Sequence, residues 1–471
     1  MADDAERAPL LQGQSKAKEF QPSSPSRIWR QAAGLLATTF AIPLSLEIVF
    51  PFVSQMILEN GIACTSEQVG FYSGVVESVF SVMSLIAIIP CTYLADSIGR
   101  KPIIVVGNIG LAISVICFGF SKTFVGMILS RCIAGTLGAT WSVSKIMMAE
   151  ISDKSNESAL FTVYQLAYRT GQIVGLPMGG LLTHPARHYA LFKAEFWIAY
   201  PFALPCIVAA VVALISALLC FITLPETLPA KTKGVTFSEL SEDQPIPAMP
   251  TSKTSFRAIF TPSIISLLCS TFAMFLTTEA LVAVYPLFAF TPIQSGGLGL
   301  DEATIGIHMG FRAVLAIGIL PTFSILQRRL GAHRVYQLVM MTPPLVFIGF
   351  PLLNMLARHG MGNSWVFYLA LFTMFIVWSS NGFAWIANAM MINDAAPDAQ
   401  TLSAINAASQ IATILPQAIA PISITSLFAI SIESNVAGGN MVWVAMFALN
   451  CVVAIHSYTL RKPSTSWRQQ D

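Results

Sequence analysis

The chain has 471 residues, of which 55% are hydrophobic and only 11% are charged, and its mean hydropathy is +0.68. About a quarter of the residues in soluble domains are charged, so this composition excludes an ordinary soluble enzyme and indicates a membrane protein. The formal net charge of +2 is too small for a nucleic-acid binder. Eight scattered cysteines without a Cys-x-x-Cys pair predict no metal site, and no cofactor is expected.

Twelve apolar segments are long enough to cross a lipid bilayer as helices, which takes about 20 residues each. They are predicted at 32–56, 70–94, 102–121, 124–150, 160–183, 201–224, 262–290, 303–327, 333–356, 364–392, 402–430 and 438–460. The sequence therefore predicts an all-α membrane protein with 12 transmembrane helices. The expected organisation is a tail (1–31), a six-helix half (32–224), a polar linker (225–261), a second six-helix half (262–460) and a tail (461–471).

The distribution of lysine and arginine predicts the orientation of the chain. With the N-terminus in the cytoplasm, 18 of the 26 basic residues lie on the cytoplasmic side, four on the opposite side and four within spans. Cytoplasmic loops carry the excess of positive charge, so both termini are expected in the cytoplasm. The plasma membrane is the expected location. The segment "ERAPLL" (6–11) fits an acidic dileucine sorting pattern and makes the vacuolar membrane the alternative.

The two halves resemble each other in sequence. "VFPF" (49–52) corresponds to "VYPL" (284–287), "VGFYSG" (69–74) to "IGIHMG" (305–310), and "SIGRKP" (97–102) to "RLGAHR" (329–334). The three matches keep the same order and nearly the same offset. They indicate a duplicated six-helix unit, which is typical of transporters.

The loop between the second and third spans resembles the signature of the major facilitator superfamily, G-x-L-A-D-R-x-G-R-K. Here "TYLADSIGRK" (92–101) keeps Asp96, Gly99, Arg100 and Lys101. The resemblance implies two six-helix halves in pseudo-symmetry, and a loop that helps to hold one transport state. The alternative is a basic anchor at the inner leaflet with a turn glycine.

Two further segments resemble the drug:proton antiporter branch of this superfamily. "SRCIAGTLGA" (130–139) is similar to its fourth-helix motif and carries Arg131. "GQIVGLPMGGLL" (171–182) is similar to its fifth-helix motif, with the proline displaced by one residue; the matching residues are Gly171, Gly175, Pro177, Gly179 and Gly180. "LEIVFPFVSQMI", "GFYSG", "LPETLP" and "GGLGL" resemble the fungal and plant zinc-induced-facilitator-like group.

Ionisable residues inside the spans are candidates for proton coupling, because a charge in the bilayer core is costly. Glu47, Glu77 and Arg131 fall at similar depths in spans 1, 2 and 4, and Glu279 and Arg312 do so in spans 7 and 8. If the first three meet, one carboxylate keeps a charge partner while the other holds a proton. The alternative is structural ion pairing between helices, and for Glu279 and Arg312 a mutual salt bridge is the simplest expectation.

Polar and aromatic side chains within the spans are candidates for the substrate cavity. Arg169 belongs to a row with Thr162, Gln165 and Gln172 on one face of span 5. The other candidates are Lys145, Trp141, Trp378, Asn381, Trp385 and Asn388. Span 11 offers a polar row of Ser403, Asn406, Gln410, Thr413 and Gln417, for which hydrogen bonding between helices is the favoured alternative.

These observations predict a secondary active transporter and not an enzyme. We expect proton-coupled efflux of a small organic molecule by a monomer embedded in the lipid bilayer, by alternating access around a central cavity. Its partners would be the small-molecule substrate, protons and lipid, with no nucleic acid. The alternatives are an importer or vacuolar exchanger of a nutrient or organic anion and, from another class, a transporter-like receptor.

Overall fold

The computed structural model describes residues 25–152, 156–226, 261–395 and 399–460. All regular elements within these ranges are helical. Ten of these helices are long and apolar enough to cross a membrane: Val69–Ile98, Arg100–Gly119, Phe124–Ile151, Ala203–Thr223, Pro262–Phe290, Glu302–Leu330, Ala332–Arg358, Trp365–Asp394, Ile405–Glu433 and Met441–Thr459. They correspond to the predicted spans 2, 3, 4, 6, 7, 8, 9, 10, 11 and 12. The sorting pattern at 6–11 and most of the linker lie outside the described residues.

The other two predicted spans are also helical but more polar. Span 1 consists of two helices, Pro25–Glu47 and Val53–Glu59, joined by a turn around Pro51. Span 5 is Glu157–Leu181, which carries the row with Arg169 and Gln172. The predicted all-helical fold with twelve spans is thus confirmed. The largest boundary difference is at span 1, which begins at Pro25 instead of residue 32.

Single-residue breaks divide three more spans. Span 4 consists of Phe124–Gly138 and Thr140–Ile151, span 9 of Ala332–Met340 and Thr342–Arg358, and span 10 of Trp365–Ser379 and Asn381–Asp394. Span 11 begins at Ala399. Short helices Pro185–His188 and Glu195–Ala199 connect spans 5 and 6. We refer to the end of the bundle where spans 5 and 6 join as the His184 end, and to the opposite end, where spans 2 and 3 join, as the Gly99 end.

The two sets of six spans pack in the same pattern. Spans 1 and 5, 3 and 6, and 3 and 4 are neighbours, and so are their repeat equivalents, spans 7 and 11, 9 and 12, and 9 and 10. Between the sets, span 2 packs against span 11, and span 5 against span 8. These two interfaces are equivalent under the repeat, so the duplication seen in the sequence is reproduced in the tertiary contacts.

Glycines in the repeated segments 69–74 and 305–310 bring the two sets together near the His184 end. A Cβ atom at Gly74 would lie 2.8 Å from the Cα of Ile422 in span 11. A Cβ atom at Gly306, in the repeat equivalent of that segment, would lie 2.6 Å from the carbonyl oxygen of Leu176 in span 5. Real Cβ atoms do not approach backbone this closely, so only glycine permits these contacts.

Candidate functional site

A cavity of about 290 Å³ lies between the two sets of spans, and its wall is built from both. It is lined by three carboxylates and three guanidinium groups, those of Glu47, Glu77, Glu279, Arg131, Arg169 and Arg312. The structure thus places all five proton-coupling candidates, and Arg169, on a single cavity. Ionisable side chains at membrane depth normally face such an internal space and not lipid.

A hydrogen-bonded chain links spans 1 and 5 on the cavity wall. Arg169 Nη1 donates to Gln172 Oε1 at 2.9 Å, and Gln172 Nε2 donates to Glu47 Oε1. Glu47 is the last residue of the first helix of span 1, beside the turn that interrupts the span. Interrupted helices at membrane depth are a recurring feature of ion and substrate sites in transporters.

The fifth-helix motif holds span 5 close enough for this chain to form. Gly171 faces the backbone of span 1 at Phe40, and a Cβ atom at Gly175 would lie 2.9 Å from the Cα of Leu44. Gly179 faces Ile48 in the same way, while Gly180 faces the backbone of Glu302 in span 8. Pro177 contacts Gly310 of span 8. The motif therefore packs against span 1 on one face and span 8 on another.

Glu77 and Arg131 line the cavity without forming an ion pair with each other. Among the side chains the structure describes, the buried atoms Glu77 Oε2 and Arg131 Nε have no hydrogen-bond partner. The Arg131 guanidinium lies 4.6 Å from the centre of the Phe118 ring. A buried polar atom without a partner is costly, so these groups are free to take a partner from the cavity.

The salt bridge expected between Glu279 and Arg312 does not form, and that expectation was wrong. Arg312 instead stacks on Trp378, with the guanidinium carbon 4.4 Å from the ring centre, and its buried Nε has no hydrogen-bond partner among the described residues. Glu279 faces Gln417 of span 11. The tryptophan ring offers the cation a partner in its own half, so the carboxylate stays available to the cavity.

Aromatic rings complete the wall. Trp378 is 2% exposed, whereas Trp385 is 41% exposed and lies 5.8 Å from the guanidinium of Arg169 in the other half. Asn381 also lines the cavity and accepts a hydrogen bond from Thr342 at 3.2 Å. Gln417, named in the span 11 row, lines the cavity and bonds to Glu279 of span 7, which is the hydrogen bonding between helices favoured for that row. Tyr168 is a lining residue that sequence reasoning did not select.

Three residues proposed for the cavity lie outside its lining. Asn388 exchanges hydrogen bonds with Thr271 of span 7 at 3.0–3.1 Å, the alternative role of such polar rows. Lys145 is exposed, and Trp141 is 39% exposed on the other part of span 4. The helix break at Ala139 separates these two residues from the part of span 4 that carries Arg131.

The loop at the Gly99 end is organised by charges within the first six spans. Gly99 has φ +119°, a conformation that favours glycine, as the sequence predicted. Arg100 pairs with Asp96 at 3.3 Å and with Glu150. The backbone N–H groups of Arg100 and Lys101 donate to the Glu226 carboxylate at 3.0 and 3.3 Å. The loop thus joins spans 2, 3, 4 and 6 at this end.

Polar side chains near the Gly99 end are exposed although they belong to membrane-spanning helices. Gln165 of span 5 and Asn406 and Gln410 of span 11 are exposed, whereas the glycine contacts between the halves lie near the His184 end. Polar groups at membrane depth are tolerated where they face water. The glycine contacts thus close the bundle at the His184 end, whereas polar side chains are exposed near the Gly99 end.

Comparison with known proteins agrees with this architecture. The family model for the Major Facilitator Superfamily matches residues 35–421. The chain is 28% identical to the efflux pump azaK of Aspergillus niger over 96% of this chain and 91% of azaK. It is 26% identical to the protein zinc induced facilitator-like 1 of Arabidopsis thaliana over 91% of this chain and 90% of that protein.

A solved structure shows the same fold at low sequence identity. A bacterial homologue of the human lysosomal transporter Spinster, in an inward-facing and occupied conformation, superposes with a TM-score of 0.69 and 13% identity, over 94% of this chain and 98% of that one. The predicted resemblance to the drug-efflux branch and to the zinc-induced-facilitator-like group is confirmed by the relatives. The chain belongs to the major facilitator superfamily of membrane transporters.

Proposed function

We propose that the protein is a secondary active transporter that exports a small organic molecule in exchange for protons. The observation that carries the proposal is the single cavity on which three carboxylates, three guanidinium groups and two tryptophans converge from both halves. Aromatic faces beside charged groups suit a partly apolar ligand with one or more polar or ionised groups. The similarity to a protein named an efflux pump supports export over import.

We place both termini, and therefore the Gly99 end, in the cytoplasm. The support is the excess of lysine and arginine on that side, 18 against four. In this orientation the cavity accepts substrate from the cytoplasm. We further propose that the protein resides in the plasma membrane, with the vacuolar membrane as the alternative, and that it is a monomer. The linker at 225–261 would divide its two six-helix halves.

The coupling step would use the two carboxylates of the first half. Gln172 donates a hydrogen bond to Glu47 and accepts one from Arg169. Protonation of Glu47 therefore changes the net charge of this hydrogen-bonded group of three side chains. Glu77 has an oxygen without a hydrogen-bond donor, beside the equally unpartnered Nε of Arg131 in the same lining. A substrate that supplies a donor to Glu77 competes with a proton for the same oxygen. Such competition is the requirement for exchange.

Alternating access would follow from the two glycine interfaces. Spans 2 and 11, and spans 5 and 8, meet tightly near the His184 end, where Gly74 and Gly306 allow backbone contact. Separation of these interfaces, together with closure at the Gly99 end, would expose the cavity to the other side by rocking of one half against the other.

A flux assay in proteoliposomes tests the proposal. The purified full chain is reconstituted, an acid-inside pH gradient is imposed, and uptake of tetraphenylphosphonium and of benzoate is measured. Glu47→Gln and Glu77→Gln are compared with Glu195→Gln, an exposed carboxylate in the loop between spans 5 and 6. We expect gradient-driven uptake of at least one probe, loss of it in one or both cavity variants, and wild-type uptake in Glu195→Gln. Uptake that does not depend on the pH gradient and is unchanged in both cavity variants would contradict proton exchange and indicate a facilitator.

A further inference from the structure

Three potential metal ligands meet at the closed, His184 end, far from the cavity. Glu59 ends span 1, His184 follows span 5, and Glu302 is the first residue of span 8. One ligand atom from each lies within 4.8 Å of the other two. Two of the ligands belong to the first six spans and the third to the last six, so the cluster crosses the junction between the halves.

The fold positions the histidine firmly. His184 has φ 48° and ψ 50°, a left-handed conformation that is uncommon outside glycine, and its backbone N–H donates to Pro201 O at 2.9 Å. Its ring is 5.1 Å from the Phe202 ring, edge to face, and the residue is 5% exposed. Strained backbone of this kind persists where surrounding contacts hold it, and it is frequent at binding sites.

The two carboxylates approach the imidazole from opposite sides. His184 Nε2 lies 3.0 Å from both Glu59 oxygens, and Nδ1 lies 3.5 Å from Glu302 Oε1. Gln55 steadies Glu59 through a 2.7 Å hydrogen bond. Glu302 Oε1 is buried and accepts no hydrogen bond within the described structure, and His184 Nδ1 faces it at ion-pair distance. A buried carboxylate oxygen that lacks a hydrogen-bond donor and faces a histidine and a second carboxylate is a potential cation ligand.

We propose that Glu59, His184 and Glu302 bind a divalent transition-metal ion, with Zn²⁺ as the best-fitting case. Imidazole nitrogen and carboxylate oxygen are both zinc ligands, and with three protein ligands water would supply the fourth position. Ligand atoms around tetrahedral zinc are about 3.3 Å apart, given bonds of about 2.0–2.1 Å. The distances between the ligand atoms, all within 4.8 Å, therefore need to shorten by at most about 1.5 Å, which rotation of the two flexible carboxylates provides. Glu59, with a side chain 27% exposed, leaves the site open to solvent.

The position of the site gives the ion a regulatory effect. Metal bound by residues of both halves stabilises the conformation in which the His184 end is closed. By linkage, the bound ion disfavours opening of this end by the same free energy by which opening weakens binding of the ion. Metal added on the outer side is therefore expected to slow the transport cycle as an inhibitor that acts away from the cavity. The proposal stands on these three residues and does not depend on the cargo or on proton exchange.

Sequence reasoning predicted no metal site because it searched for closely spaced ligands. His184 is 125 residues from Glu59 and 118 from Glu302 (184 − 59 and 302 − 184). The packing of span 5 against both span 1 and span 8 brings them together.

Metal binding by the purified full chain in detergent tests the site. Zn²⁺ titration followed by calorimetry is compared for wild type, His184→Ala, Glu302→Ala and the control His188→Ala, which removes an exposed histidine four residues away. We expect one saturable site in wild type and in His188→Ala, and at least about tenfold weaker binding in the other two variants, the scale seen when even a supporting group is lost. Mg²⁺, which prefers octahedral oxygen ligands, is expected not to compete.

A distance measurement separates this site from adventitious surface binding. Spin labels are placed on each half at the His184 end, and their distance distribution is recorded with and without Zn²⁺. We expect Zn²⁺ to increase the closed population in wild type and to leave the distribution of Glu302→Ala unchanged. Glu302→Ala keeps both ligands of the first half, Glu59 and His184. It therefore still tests the site if His184→Ala fails to fold. Equal Zn²⁺ affinity in wild type and Glu302→Ala, or no saturable binding at all, would overturn the proposal.

Discussion

Gly306 of span 8 and Leu176 of span 5 meet so closely that a Cβ atom at position 306 would lie 2.6 Å from the leucine carbonyl oxygen. In the other interface, a Cβ atom at Gly74 of span 2 would lie 2.8 Å from the Cα of Ile422 in span 11. The two halves are therefore closed at one end by two backbone contacts of the same kind, one supplied by each repeat.

These contacts make the closed end sensitive to a single methyl group. Gly306→Ala and Gly74→Ala are expected to reduce the closed population, because overpacking against backbone costs about 1–3 kcal/mol. That range corresponds to a shift of roughly fivefold or more in the equilibrium between conformations. Spin-label distances across the His184 end measure the shift.

Gly318 supplies the control on the same helix as Gly306. A Cβ atom there would have no heavy atom within 4 Å, so Gly318→Ala tests the effect of alanine on span 8 without the clash. An equal change in Gly318→Ala and Gly306→Ala would show that helix propensity, and not the interface, is responsible.

Gln172 is expected to set the pH dependence of transport. It connects Arg169 to Glu47, and Gln172→Ala leaves both charged groups without this partner. Hydrogen bonds to charged groups contribute about 1.5–3 kcal/mol, so the gradient-driven rate should fall by about tenfold or more and its pH profile should move. Flux measured across a pH series checks this.

Gln165→Ala is the matched variant for Gln172. It removes an exposed glutamine from the same face of span 5, outside the cavity lining. We expect a wild-type pH profile. If Gln172→Ala also keeps that profile, the chain from Arg169 to Glu47 has no part in coupling.

Two tryptophans of nearly equal exposure should differ in their effect on substrate affinity. Trp385 is 41% exposed and faces Arg169 across the cavity, whereas Trp141 is 39% exposed and lies outside the lining. Trp385→Ala should raise the KM of the transported probe by roughly 3- to 30-fold, because a cation–π contact contributes about 0.5–2 kcal/mol. Trp141→Ala should leave the KM unchanged. A similar rise in both variants would contradict the placement of the substrate beside Trp385.

The hydrogen bond from Ser295 to Glu67 connects the halves outside the membrane and predicts a pH effect. The bond measures 2.7 Å and lowers the pKa of Glu67 below its ordinary value of 4.5. A lowered pKa means that the contact stabilises the closed end above about pH 4.5 and that this contribution is lost as the pH falls further. Between pH 6 and 8 Glu67 stays ionised, so its contribution to the closed population should not change with pH in that range.

Ser295→Ala tests the contact. At pH 7 this variant should show a slightly smaller closed population than wild type, and the difference should shrink as the pH falls through the lowered pKa of Glu67. Ser434→Ala is the control, since the Ser434 hydroxyl donates to Ile430 O, four residues earlier in the same half, at 2.6 Å. A difference between wild type and Ser295→Ala that stays constant as the pH is lowered from 7 to well below 4.5 would contradict the assigned role of Glu67.

The fold was largely accessible from the sequence. Long apolar segments must form helices in a bilayer, because backbone groups there find hydrogen-bond partners only within the helix. The two spans that fall outside the ten strongly apolar helices are the ones that carry Glu47 and Arg169. Gly99 and Gly331, at equivalent places in the repeats, have φ values of +119° and +79°, the turns that the sequence match implied.

The site was accessible only in part. The rarity of charge in the spans was enough to select Glu47, Glu77, Glu279, Arg131 and Arg312, all of which line the cavity. Their partners were not predictable. Arg312 lies on Trp378 in place of Glu279, and Asn388 bonds to Thr271 in place of a ligand, because a side chain pairs with whatever the neighbouring helix presents at its height.

The sequence by itself determined twelve helices, their duplication and the ionisable residues that must face inward, since these follow from the cost of polar groups in hydrocarbon. The tertiary structure alone decided which of those residues meet, which end is closed, and that Glu59, His184 and Glu302 converge. Helix rotation and crossing are set by contacts between residues far apart in the chain, such as Gly306 on Leu176, and spacing along the sequence does not record them.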